Sequence, residues 1–273
     1  MALTQTLPTI PLVNAQRTAT SSERLSLSNA DLTAAISAAG PTATLPAIIL
    51  AHALTTLRLA FAGVRYLCQG DAVAESYRRM TTAEFALINA RQEWANWRTI
   101  PRNLTGHLPV DRPLTVVDLC CGMGDSTCVL AWWLPAGSRI IGLELDTRFA
   151  AAAARRTYRN RHGDIIPTTI HRASVLETFR DHAGQRCAAG SVDLVHAIGS
   201  IGCHFSPDDS RVIVRECARV LAADGFALLD AGNAGTPPSA LAAIAGDHGL
   251  TVVRRSRSWW FDRYVQLVLR RAA

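Results

Sequence analysis

"TVVDLCCGMGDST", running from Thr115 to Thr127, decides the fold. Two valines lead into Asp118, Cys120 and Cys121 follow after one leucine, and Gly122 and Gly124 flank a single methionine. A short apolar run that ends in glycines is a buried strand entering a tight turn. The acid and the thiols at that turn leave three readings: a nucleotide site, a metal or redox site, or an ordinary strand end.

The sequence around it separates into two styles. After Pro113, apolar runs alternate with helical stretches: "LTVVDL", "RIIGLEL", "TTIHRAS", "VDLVHAIG" and "GFALLDAG" read as strands, with helices such as "DSTCVLAWWL" and "SPDDSRVIVRECARVL" among them. Short apolar strands separated by helices predict a parallel sheet covered on both faces. "TVVRRSRS" and "YVQLVLRR" follow each other without a crossover helix, so one of them is antiparallel. Before Pro113 the pattern is helical only. "SNADLTAAISAAG" carries a Ser28 or Asn29 cap and a Gly40 stop, and Pro101 breaks the last helical run. The fold class expected is α/β: a doubly wound, mostly parallel seven-stranded sheet with an antiparallel last strand and an α-helical N-terminal cap. The boundaries drawn are a flexible tail over 1–27, a helical cap over 28–110 and a Rossmann-like core over 111–273.

Composition narrows the function. The 273 residues are 49% hydrophobic and 18% charged, enough for a sizeable core. The net charge is +6, but lysine is absent and the arginines are scattered in pairs such as Arg155/Arg156 and Arg254/Arg255. Scattered arginines make a solvated surface rather than a nucleic-acid face. Seven cysteines, an odd number with no C-x-x-C pair, argue against a zinc clamp or a disulfide framework, so no metal site is expected. Reduced thiols fit the cytoplasm. The first residues lack the basic start and apolar block of a signal peptide. The most apolar window, Thr44 to Val64, is interrupted by Pro46, His52 and Arg58 and reads as a buried helix rather than a membrane span.

Asp118 lies four residues before the first glycine, and the sixth position of the glycine pattern is Thr127. A carboxylate there would repel a pyrophosphate, which disfavours a dinucleotide. Glu144 ends the second strand, where an acid accepts hydrogen bonds from ribose hydroxyls. A nucleoside with a cationic, amine-bearing tail suits both acids, and S-adenosylmethionine has that chemistry.

The four segments "VVDLCCGMGDST", "IIGLELD", "SVDLVHAIGSIGCHF" and "IVRECARVLAADGFALLDAG" together resemble the motifs of class I S-adenosylmethionine-dependent methyltransferases, in order, from Pro113 to the C-terminus. The resemblance implies that Asp118 and the turn of Cys120, Gly122 and Gly124 hold the amino-acid tail of the cofactor. It implies that Glu144 holds the ribose and that Ser174 and Val175 flank adenine, with Leu145, Ile198 and Gly199 also at the cofactor. An acid often follows the third strand in the family, and here Ser174 stands instead. Ala222-Ala223-Asp224-Gly225 replaces the family's Pro-Gly-Gly turn. Cys120 and Cys121 then fill the strand-to-turn junction as small apolar residues.

Methyl transfer from a sulfonium needs alignment and exclusion of water more than acid–base work. His196 lies mid-strand and reads as a core histidine. His204 lies at the mouth of the site and is the candidate base. "FALINARQEWANWRTIPRN" precedes the core and is the natural lid; Trp94, Trp97 and Arg98 are its candidate acceptor-side residues. No [D/N]-P-P-[Y/F] tetrapeptide or RNA-binding module is visible, so the acceptor expected is a small molecule. Two other readings stay open: an RNA or protein methyltransferase, and a cofactor-binding protein of this fold without methyl transfer.

Overall fold

A computed structural model describes residues 23–64, 71–257 and 264–272. Four helices come first: α1 (Asn29–Ala39), α2 (Leu45–Phe61), α3 (Asp71–Arg78) and α4 (Thr82–Leu104). Then follow β1 (Thr115–Leu119), α5 (Asp125–Trp133), β2 (Arg139–Glu144), α6 (Thr147–Ala154), β3 (Thr168–Arg172), β4 (Val192–Ala197) and α7 (Ile201–His204). The chain continues with α8 (Pro207–Val220), β5 (Leu221–Ala231), α9 (Pro238–Asp247), β6 (Leu250–Ser256) and β7 (Val265–Arg271).

The strands form one seven-stranded sheet in the order β3-β2-β1-β4-β5-β7-β6. All pairings are parallel except the two that β7 makes, with β5 and with β6. Successive side chains on a strand point to opposite faces, and the core divides accordingly. Val117, Leu119, Val195, Ala227 and Leu229 join one cluster. Val116, Leu194, Phe226 and Leu228 join the other. The order reverses between β1 and β4, and in such sheets the crevice beyond the carboxyl ends at that reversal binds ligands.

The helical cap is tied into the second cluster. Trp97, Ile100 and Leu104 of α4 pack there with Leu32 and Ala35 of α1. That burial carries α4 through Pro101 to Leu104, past the break expected from the sequence. Thr81 and Glu84 form a capping box at its start, and Arg58 of α2 pairs with Glu84. The Thr44–Val64 window does form a helix, but not a buried one. α2 packs on α4 through Ile48, Thr55 and Leu59, whereas Leu50, Leu54, Leu57 and Phe61 face outward. Its apolar residues surround the helix, and α4 covers only one side. Among the described residues, no helix is long and apolar enough to cross a membrane.

Of the tail expected over 1–27, residues 1–22 lie outside the described residues. Arg24 bridges to Pro109 and Leu25 is buried. The Ala222–Gly225 segment is an irregularity inside β5, where the register with β4 shifts between Val192 and Leu194. Arg112 braces it, with Asp193 at 2.7 Å and Asp224 at 3.2 Å.

Candidate active site

Two neighbouring strand ends define the floor. In the β1–β2 pairing, Asp118 is level with Gly142 and Leu119 with Leu143. Glu144 therefore reaches two residues further toward the carboxyl edge, about 6–7 Å at strand rise. Asp118 is fully buried. Its Oδ2 accepts from Ser126 Oγ at 2.8 Å and Thr127 Oγ1 at 2.6 Å, and its Oδ1 accepts from His196 Nδ1 at 2.7 Å. Glu144 sits at the rim. Its Oε2 accepts from the Gly122 N–H at 2.9 Å and its Oε1 from the Asp146 N–H at 2.8 Å. Burial pushes its carboxyl up to about 6, with those two N–H bonds pulling the other way.

Above this floor is a cavity of about 660 Å³. Core loops wall one side and the cap lines the other. Phe85 of α4 stacks on Phe149 of α6, ring centres 3.8 Å apart, and Tyr77 of α3 meets both rings edge-on. Arg148 clasps α3 to the core: its guanidinium donates to the Met80 carbonyl at 2.6 Å and the Tyr77 carbonyl at 2.7 Å, and it pairs with Asp146 at 2.7 Å.

His204 ends the short α7. Asp230, near the end of β5, holds the start of that helix by accepting from the N–H groups of Ser200, Ile201 and Gly202 at 3.0–3.2 Å. Burial pushes the Asp230 carboxyl up to about 6, against those three bonds. His204 is thereby set against the cap, its Nε2 2.8 Å from the Tyr77 hydroxyl.

Nine of the residues singled out in the sequence line this cavity: Cys120, Gly122, Glu144, Leu145, Ser174, Val175, Ile198, Gly199 and His204. Five do not. Asp118 lies too deep in β1. Gly124 caps α5 in the left-handed region, at φ 90°, where a side chain would run into the Tyr158 hydroxyl. Trp94 packs against Ile48, Arg98 lies over the Trp94 ring at 3.5 Å, and Trp97 belongs to the core. These three are on the wrong side of α4. Besides Tyr77 and Phe85, the cap lines the cavity with Asn89, Gln92, Glu93 and Asn96 of α4. Their spacing of i, i+3, i+4, i+7 is one helical stripe, and that polar stripe was the available signal. His196 is a core residue, as its mid-strand position implied. Tyr77, Phe149 and Arg148 come together only through tertiary packing.

The donor set suits an adenosyl group. Glu144 offers rim oxygens to hydroxyls, and Leu145 is an apolar side chain left 53% exposed beside it. Ser200 Oγ is buried and, apart from the neighbouring Cys120 thiol, has no partner among the described residues. Cys120 itself adopts φ 52°, the left-handed region that side chains avoid. Burial first, then the nearby carboxylates, push its thiol well up, so it stays protonated.

Residues 116–225 match the family model of a methyltransferase domain. No curated protein sequence matches the chain. Among solved structures, it is similar to the magnesium protoporphyrin IX methyltransferase of Synechocystis PCC 6803, which was solved with S-adenosylmethionine bound: 15% identity, TM-score 0.53, 80% of this chain and 97% of that one. It is similar to the PH0226 protein of Pyrococcus horikoshii OT3 at 15% identity and TM-score 0.52, over 72% of this chain and 98% of that one. A Leishmania major S-adenosylmethionine-dependent methyltransferase aligns at 15% identity and TM-score 0.52, over 70% and 77%. At these identities the likeness is one of fold. With the domain match, residues 116–225 are a methyltransferase domain on the fold shared with S-adenosylmethionine-dependent methyltransferases.

Proposed function

We propose that this S-adenosylmethionine-dependent methyltransferase passes its methyl group to a small-molecule acceptor, in a reducing compartment such as the cytoplasm. The observation that carries the reading is the roof. α3 and α4 close a cavity of about 660 Å³ with Tyr77, Phe85 and the Arg148 clasp. A space of that size takes a nucleoside and a compact partner.

When bound, the cofactor supplies an electrophilic methyl on a sulfonium. The chain's own residues orient and enclose. Glu144 receives the ribose hydroxyls, and Leu145, Ser174 and Val175 flank the base. Phe85 and Phe149 exclude water. Tyr77 and His204 serve the acceptor: the tyrosine oxygen takes the acceptor's proton while its own proton passes to His204 Nε2, 2.8 Å away. His204 is thus the base and Tyr77 its relay.

The test is transfer of radiolabelled methyl from S-adenosylmethionine into a cell extract, split into small-molecule, RNA and protein fractions. Label in the small-molecule fraction is the expected result; label confined to RNA or protein removes the reading. With an acceptor identified, Y77F and H204A are expected to lower kcat at least tenfold, with binding of S-adenosylhomocysteine unchanged. Unchanged turnover in H204A removes the base assignment.

A further inference from the structure

Asp118 is buried beneath the turn, so the cationic tail of the cofactor needs other partners. The cavity offers a polar face that the nucleoside contacts leave unused. Gln92 Nε2 donates to Asn96 Oδ1 at 2.7 Å. Whichever way this amide pair is turned, one amide oxygen and one amide nitrogen remain for a ligand. Gln92 lies directly on Gly199: a side chain at Gly199 would come within 3.2 Å of Gln92 Cγ, and Gly199 holds φ 83°. The pair is thus pressed against the loop after β4.

The start of α5, which has no side-chain cap, lines the same cavity through Asp125 and Ser126. The first N–H groups of a helix favour an anion. Asp125, whose charge would oppose one, is paired with Arg156 at 2.7 Å. Ser200 Oγ, 5% exposed and unpartnered but for the Cys120 thiol, lines the same space. Glu93 lies one residue along the stripe and makes no ion pair among the described residues. Burial, and then the charge of Asp125, hold its carboxyl up, so a cation beside it would be welcome.

We infer that Gln92, Glu93 and Asn96 of the cap helix, with Ser200 of the loop after β4, are the subsite for the zwitterionic amino-acid tail of the cofactor. The tail's carboxylate meets the amide nitrogen, the Ser200 hydroxyl and the open start of α5. Its ammonium meets Glu93 and the amide oxygen. The cap therefore does more than roof the acceptor: it supplies half of the cofactor grip, and the tail in turn holds α4 on the core. This assignment rests on the cofactor reading.

The experiment compares two probes by calorimetry: S-adenosylhomocysteine, which has the tail, and 5′-methylthioadenosine, which lacks it. In the unaltered protein, S-adenosylhomocysteine is expected to bind at least tenfold more tightly. The double variant Q92L/N96L, and separately E93Q, are expected to lose at least tenfold in affinity for S-adenosylhomocysteine while methylthioadenosine binding stays within threefold. The methylthioadenosine measurement also verifies that each variant is folded. Unchanged S-adenosylhomocysteine affinity in both variants, or a parallel loss of both probes, overturns the assignment. Equal affinity of the unaltered protein for the two probes overturns the tail subsite alone. Binding of neither probe overturns the cofactor reading beneath it.

Discussion

Asp118 and Glu144 end adjacent strands and look equivalent in sequence, each an acid after a run of apolar residues. Their environments are opposite. Asp118 is sealed under the turn with three side-chain donors, Ser126, Thr127 and His196. Glu144, two positions nearer the edge, holds two backbone N–H groups and still lines the cavity. The lesson is that depth, not residue type, divides the labour. The deep acid locks β1 to β4 and to the first turn of α5, and the rim acid faces the cavity.

The largest expected effect tests the deep acid. D118A strands His196, Ser126 and Thr127 without their acceptor, and removing one partner of a buried pair costs about 3–5 kcal/mol. A fall in Tm on the order of 10 °C is expected by thermal unfolding, with S-adenosylhomocysteine affinity of the folded fraction within threefold. A stable D118A that loses the ligand would reverse the assignment of the two acids.

The rim acid is expected to behave in the other sense. E144Q should weaken both S-adenosylhomocysteine and methylthioadenosine by tenfold or more, about 1.4 kcal/mol, with a smaller fall in Tm than D118A, because one of its two backbone N–H donors loses its acceptor. Its titration adds a second measurement. The folded carboxyl, at about 6, lies above its ordinary 4.5. Its contribution to stability is therefore full below about 4.5 and lost as pH rises through about 6, and E144Q should flatten that part of the stability profile. Binding runs the opposite way: affinity should drop as pH falls below about 6, where protonation removes acceptor capacity from Glu144. A pH-independent affinity between 5 and 8 would separate Glu144 from the ligand.

The smallest effect concerns the residue level with Glu144. Cys120 pairs no backbone in a strand and sits at φ 52°. Left-handed backbone costs a side-chain-bearing residue about 1–2 kcal/mol, while glycine loses more entropy on folding. C120G should therefore fold with stability within about 1 kcal/mol of the parent and keep S-adenosylhomocysteine binding. A large loss of binding would give the thiol a role that its protonated state does not provide.

Much of the fold was legible. The strands after Pro113 are short apolar runs because both sheet faces are covered, and the adjacent β6 and β7 had to include an antiparallel partner for want of a crossover. The cap was legible as helix but not as orientation. Trp94, Trp97 and Arg98 drew attention by residue type, yet they pack away from the cavity, and the less conspicuous Gln92, Glu93 and Asn96 face it. α2 was misjudged because apolar content alone does not say how much of a helix its neighbours cover.

The sequence by itself determined the order of elements, the glycine turn at Gly122 and Gly124, and the acid of β2 at the edge, because these follow from local periodicity and from backbone conformations that few residues adopt. The tertiary structure decided which acid reaches the cavity, which face of α4 looks inward, and that Tyr77 of the cap meets His204 of the core. Depth depends on the register between strands and facing depends on the rotation of a docked helix. Both are set by packing between residues far apart in the chain, which no local pattern records.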